Sequence, residues 1–201
     1  MRLSDTYTDL RIVRTKAAIR DALTELIKEK GFEGVTVKDI TMRAMINRGT
    51  FYLHYQDKYD LMTKCQQEIM QGMAKVAKSF LSNENVTAET TFAFATSVFE
   101  YFNQHAAFME AVLGPNGDLG FQVKVKEFVK KTIFEGGKYS EMRKEILRVP
   151  EEYFVSYVAS AHLGIIQQWL QNGRKESPQE MAHILATIAF HGPLFAAGLK
   201  E

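Results

Sequence analysis

Arg48, Gly49, Thr50, Tyr52 and His54 fall within seven residues, and together they carry chemistry suited to a patterned polyanion. A guanidinium at Arg48 presents a planar fork of donors that fits a guanine edge or a phosphate. The Thr50 and Tyr52 hydroxyls can donate to phosphate oxygens, contacts that position a duplex without reading its sequence. Gly49 removes a side chain where a helix backbone would approach a groove. Thr36, Lys38, Asn47 and Lys58 flank this cluster. Singly, each such residue is usually just solvated. The information lies in their joint placement beside Phe51 and Tyr55, which are four apart and so share one helical face.

Two short helices must hold these side chains. Thr36 followed by Asp39 is a near-match to the capping box, with Asp in place of the longer Glu, and predicts a helix from Val37 to about Ala44. Met45-Ile46-Asn47 forms the turn. Asn47 caps a third helix whose first turn holds Arg48, Gly49 and Thr50 and which runs on through Tyr55. Asp57 caps a fourth helix from Lys58 towards Leu81, where Lys58 and the first backbone N–H groups favour a phosphate. Upstream, Ile12, Ala18, Ile19, Ala22, Leu23, Leu26 and Ile27 recur at helical spacing over Arg11–Lys30, with Gly31 as the C-cap and residues 1–10 as a frayed arm. A helix-turn-helix offering its second helix to a DNA major groove has this layout.

Beyond residue 81 the pattern stays helical. Ser82–Glu89 is the candidate domain boundary. Helices follow over Phe92–Phe102, Ala106–Leu113, Phe121–Glu135, a short Ser140–Leu147, Pro150–Gln171 and Pro178–Leu199, the last kinked at Pro193. Gly114–Gly120 is a loop and Gly136-Gly137 a break. No strand pattern or internal repeat is present.

The totals fit this organisation. The chain has 201 residues and 46% hydrophobic residues, enough to bury a sizeable core. Net charge is only +1. Residues 1–58 hold eleven Lys and Arg against eight Asp and Glu, so the slight basic excess lies with the motif. DNA affinity then depends on placed contacts and dimerisation more than on bulk field. The single cysteine, Cys65, excludes an intrachain disulfide and a Cys-rich zinc site, and reads as a small buried residue. His105, His162, His183 and His191 lack the close helical spacing of metal ligands. Neither a signal-peptide core nor a membrane-spanning window is found, so a cytoplasmic protein is expected. No nucleophile–base pair, phosphate loop or metal cluster marks an enzyme, and no cofactor is implied.

The segment Arg14–Met62 resembles the tetracycline-repressor (TetR) family of bacterial regulators. Thr15-Lys16, Gly31-Phe32, Thr36-Val37, Ile40, Ala44, the run Asn47–Tyr55 and Lys58 carry the resemblance. It implies phosphate contacts from Thr36, Thr50, Tyr52 and Lys58, base or groove contacts from Lys38, Arg48, Gly49, Tyr52 and His54, and core roles for Ile40, Phe51 and Tyr55. Met45 departs from the family's frequent turn glycine, and a left-handed non-glycine residue there costs on the order of 1 kcal/mol. Phe154, Tyr157, Gly164-Ile165-Ile166, Trp169-Leu170 and Ser177-Pro178 resemble the C-terminal domain of some Gram-positive members, relatives of the dihydroxyacetone-kinase operon activator.

The resemblance implies an all-α fold of about nine helices. Residues 1–58 would form the helix-turn-helix DNA-binding domain, residues 58–81 a connector, and residues 82–201 a regulatory, ligand-binding and dimerisation domain. The implied activity is that of a sequence-specific transcriptional regulator: a dimeric repressor on a palindromic double-stranded operator, modulated by a small apolar effector. An activator or co-regulator of the same fold, controlled by a protein partner, is the alternative. The homodimer would form through the last two long helices, with Gly164, Ile165, Trp169, Ala182, Leu185 and Ala189 at the interface. Phe99, Phe102, Phe108, Met109, Phe121 and Phe128 would line an effector pocket, although aromatic residues at helical spacing more often fill a core.

Overall fold

The computed structural model describes residues 3–82, 87–135 and 147–199, and among these it contains ten α-helices and no strand. They are α1 Leu3–Lys30, α2 Val37–Arg43, α3 Arg48–Tyr52, α4 Lys58–Leu81, α5 Ala88–Gln104, α6 Ala106–Leu113, α7 Leu119–Lys130, α8 Glu151–Gln171, α9 Pro178–His191 and α10 Pro193–Ala196. A widened π-helical turn, Lys131–Glu135, extends α7. The predicted break at Gly136-Gly137 and most of the predicted helix 140–147 lie outside the described residues. The chain divides into two compact units, Met1–Ile69 with Ala111–Asp118, and Met70–Glu110 with Leu119–Glu201.

In the first unit, Ile19, Leu23, Leu26 and Ile27 of α1 bury one stripe against Ile40 of α2, Phe51 of α3, and Leu61, Met62 and Cys65 of α4. Gly31 ends α1 in the left-handed region at φ 73°, its N–H donating to the Ile27 carbonyl at 2.9 Å. Arg43 clamps α2 to α1: its guanidinium donates to Glu25 at 2.8 Å and to both carboxylate oxygens of Glu29 at 2.8 and 2.9 Å. The end of α6 adds Ala111, Val112 and Leu113 to this core. The loop behind them is tied down by the buried Gln66, which donates to Asp118 at 2.6 Å. A Cβ at Gly117 would collide with the Val112 carbonyl, so the loop closes only with glycine there.

In the second unit α5 packs on α9 and α7 on α8. Phe99 and Trp169 meet edge to face at 5.4 Å, and the Trp169 indole N–H donates to the Glu176 carbonyl at 2.9 Å. A capping box starts α9: Glu180 N–H donates to the Ser177 hydroxyl at 3.2 Å, and Ser177 N–H donates to the Glu180 carboxylate at 2.7 Å.

Four boundaries differ from the sequence reading, one of them the start of α5, which begins at Ala88 under a Thr87 cap, four residues before Phe92 and inside the predicted boundary segment. The frayed arm of residues 1–10 is helical from Leu3, because neither glycine nor proline interrupts the stretch before Arg11. The third helix stops at Tyr52, three residues short of Tyr55. The last helix breaks instead of kinking: Gly192 takes φ 87° and ψ 165°, a conformation closed to other residues, and Pro193 starts a separate short helix.

Candidate nucleic-acid interface

Both short helices are fixed by local caps. Thr36 accepts from the Asp39 N–H at 3.2 Å, while Asp39 Oδ2 accepts from the Thr36 N–H at 2.9 Å, the Thr36 hydroxyl at 2.7 Å and the Lys30 ammonium at 2.7 Å. The Lys30 bond, followed by the two from Thr36, holds the Asp39 carboxyl well below the usual carboxylate range. A depressed carboxylate pKa contributes stability that is present above the unfolded-state value and lost as pH falls, since the unfolded chain then binds more protons. Urea midpoints should therefore decline below about pH 5, and Asp39→Asn should flatten that decline while lowering the neutral-pH midpoint. A parallel acid limb in the variant would contradict this.

Asn47 caps α3, its Oδ1 accepting from the Thr50 N–H at 2.7 Å and the Thr50 hydroxyl at 3.0 Å. The fully buried Phe51 anchors α3, and its ring lies 5.6 Å from that of Tyr55, which is 7% exposed. Burial pushes the Tyr55 phenol up to about 12. Met45 stands at φ 53° in the turn, with its side chain 92% exposed. It gains no packing in return for the left-handed strain, so Met45→Gly should raise stability by up to about 1 kcal/mol in urea titrations. Met45→Val should lower it.

Lys38, Arg48, Gly49 and Tyr52 are exposed, and Thr50 is half-buried. Arg48 donates to the Tyr52 hydroxyl at 3.1 Å, so guanidinium and phenol are held as a pair on one flank of α3. Four other sequence-selected residues are more committed than their types imply. The Thr36 hydroxyl and the Asn47 amide oxygen serve their caps. The Lys58 ammonium turns inward, donating to the carbonyls of Phe32 at 3.1 Å and Glu33 at 3.0 Å, over the Phe32 ring at 4.9 Å. A phosphate contact from it requires leaving those carbonyls. His54 lies beyond α3, in a half-buried turn whose carbonyl accepts from Lys64 at 3.2 Å.

Sequence reasoning missed the Arg43 clamp, because its partners lie 14 and 18 residues away. It also missed Leu53, 81% exposed, which a helical projection from Phe51 places on the outer side of α3.

Elsewhere, Phe99, Phe102, Phe108, Met109 and Phe121 are each at most 2% exposed and Phe128 is half-buried. Trp169 and Ala182, expected at a subunit interface, are enclosed within the second unit at 2% and 0% exposure. Gly164 and Ala189 are exposed, and Ile165 and Leu185 half-buried. The Cys65 thiol is buried and pushed up to about 12 by desolvation. The His162 Nδ1 lies 2.7 Å from the Val158 carbonyl, and the His183 and His191 rings rest on Phe92 and Phe195. Among the described residues no helix is long and apolar enough to cross a membrane.

A capped, clamped pair of short helices with the second one's polar flank outward defines a helix-turn-helix transcriptional regulator. Residues 19–65 match the profile for bacterial regulatory proteins of the tetR family, and residues 89–191 match a transcriptional regulator C-terminal region. The chain belongs to the TetR family of transcriptional regulators. It is 19% identical over 170 residues to the HTH-type transcriptional regulator YxbF of Bacillus subtilis, covering 83% of this chain but 42% of that protein. It thus spans less than half the length of that curated relative. The fold is shared with transcriptional regulator FadR from Bacillus subtilis in complex with stearoyl-CoA (TM-score 0.58, 19% identity, 88% of this chain and 98% of that one). It is shared too with the dihydroxyacetone kinase operon activator DhaS (TM-score 0.52, 17% identity, 88% and 94%).

Proposed function

We propose that this protein is a dimeric repressor that places α3 of each copy in the major groove of a palindromic operator and releases it when an effector binds residues 82–201. The observation that carries the reading is α3 itself. Five residues are locked by Asn47 and Phe51 while Arg48, Gly49 and Tyr52 stay at the surface. Arg48 and Tyr52 contact base edges or phosphates, Lys38 extends the contact from α2, and the Thr50 hydroxyl reaches a phosphate by leaving the Asn47 amide oxygen. Residues 1–58 are the reading domain, with α4 as the connector. A ligand that binds one disposition of α4 better than another shifts the half-site spacing and thereby DNA affinity.

Dimerisation through α8 and α9 is supported by the free face of these helices. Tyr153 and Tyr157 are 70% and 55% exposed on one side of α8, with Gly164 on the same side under open space. Ile184 and Phe190 are exposed on α9. The stearoyl-CoA bound to FadR makes a long-chain acyl thioester the first effector probe. The phenylalanine-rich interior of the second unit suits an apolar chain.

The test is selection of bound duplexes from random DNA, followed by anisotropy titration at fixed salt. Arg48→Ala should weaken the selected duplex by roughly 10- to 100-fold, with an unchanged unfolding midpoint. Unchanged affinity would remove α3 as the reading element. Sedimentation of Tyr157→Glu should show dissociation to monomer, and stearoyl-CoA should lower operator affinity of the unaltered protein.

A further inference from the structure

The rotation of α3 is fixed by Phe51, which is fully buried. Successive helical residues are offset by about 100°. Gly49 and Leu53 therefore both lie about 160° from Phe51, on the line of α3 farthest from the core. Leu53 continues the helix, with φ −68° and ψ −21°, and its N–H donates to the Gly49 carbonyl at 3.1 Å. The polar groups sit to either side. Arg48 and Tyr52 are joined on one flank, and Thr50 is held by Asn47 on the other. The outermost line of the reading helix is thus apolar: a glycine, then a leucine 81% exposed. Met42 on α2 and Met45 in the turn are also exposed, at 68% and 92%. Single exposed apolar residues need no explanation, but Leu53 closes the helix that the DNA-binding reading places deepest in the groove, on its outermost line.

We propose that Leu53 is a specificity residue that reads thymine 5-methyl groups on the major-groove floor, with Gly49 allowing the backbone close enough for it to do so. The inference rests on the DNA-binding reading above and adds what that helix selects. Among base edges in the major groove the thymine methyl is the apolar feature. A leucine pressed against it removes apolar surface from water on both partners. The same leucine pressed against a guanine or cytosine edge desolvates donors or acceptors and returns no hydrogen bond. The base pair under Leu53 is therefore T·A, and discrimination there comes from shape and desolvation instead of from Arg48.

Deoxyuridine scanning tests this. In the tightest duplex from the random selection, each thymine is replaced singly by deoxyuridine, which lacks only the methyl. The unaltered protein, Leu53→Ala and Leu53→Met are then titrated at one salt concentration. At one thymine in each half-site, the unaltered protein and Leu53→Met should bind about fourfold more weakly after replacement. Leu53→Ala should bind the starting duplex more weakly and be indifferent to that same replacement. Because Leu53 is exposed, its variants should keep the unfolding midpoint. If Leu53→Ala responds to deoxyuridine as the unaltered protein does, or no thymine responds at all, methyl reading is overturned while operator binding stands. Failure to select any duplex would overturn the DNA-binding reading itself, and this inference with it.

Discussion

Phe51→Ala is expected to lower the stability of the N-terminal unit by about 3–5 kcal/mol and to abolish operator binding at temperatures where the C-terminal unit is still folded. The size follows from the ring's position. It is fully buried, 5.5 Å from Tyr52 and 5.6 Å from Tyr55. The helix carrying it has five residues, far too few to be stable alone. Asn47 supplies one cap, worth about 1 kcal/mol, so the rest of the order in α3 comes from this anchor. Against a typical total of roughly 5–15 kcal/mol, the loss is a large fraction. Phe51→Leu keeps most of the volume and should cost about 1–1.5 kcal/mol. Urea unfolding followed by circular dichroism, with operator titration in parallel, measures both. A cost below about 1 kcal/mol for the alanine variant would mean that something other than this ring holds α3.

The contrast between Phe51 and Lys58 explains what could be read from the sequence. Caps are local: Thr36 and Asp39 are three residues apart, as are Asn47 and Thr50, so the starts of α2 and α3 followed from residue type and spacing. Helix α6 was bounded correctly at both ends, its end marked by the glycine-rich loop that follows. Lys58 finds its carbonyls 25 and 26 residues back, and Arg43 its carboxylates 14 and 18 residues back. No local pattern announces such partners. The helical start of α1 was missed because five of the residues from Leu3 to Leu10 are Ser, Thr or Asp, types that favour caps and turns over a helix interior. Leu53 was passed over for a different reason. Its side chain has no hydrogen-bonding group to mark it as a base reader, whereas the outermost line of a short helix is set by its anchor and is indifferent to polarity.

Trp169 carries the second large expectation, and it separates core from interface. Small and apolar residues recur on α8 and α9 on more than one side, and the family resemblance, which implies a dimer through these helices, does not say which side faces the partner; Trp169 and Ala182 were placed at the contact on that basis. The indole is 2% exposed, edge-on to Phe99 at 5.4 Å, with its N–H bonded to the Glu176 carbonyl. That carbonyl lies in the turn between α8 and α9, so the bond also sets where α9 begins. Trp169→Ala should cost about 3–5 kcal/mol, combining a cavity with an unpaired carbonyl. Trp169→Phe should recover most of the packing and none of the hydrogen bond, leaving a deficit of about 1 kcal/mol. An interface role would make the loss concentration-dependent, because dimer dissociation and unfolding would then be linked. Denaturant midpoints of the alanine variant should instead fall by the same amount across a hundredfold range of protein concentration, while Tyr157→Glu shows a concentration-dependent shift. The reverse pattern would return Trp169 to the interface and leave Tyr157 as a solvated surface residue.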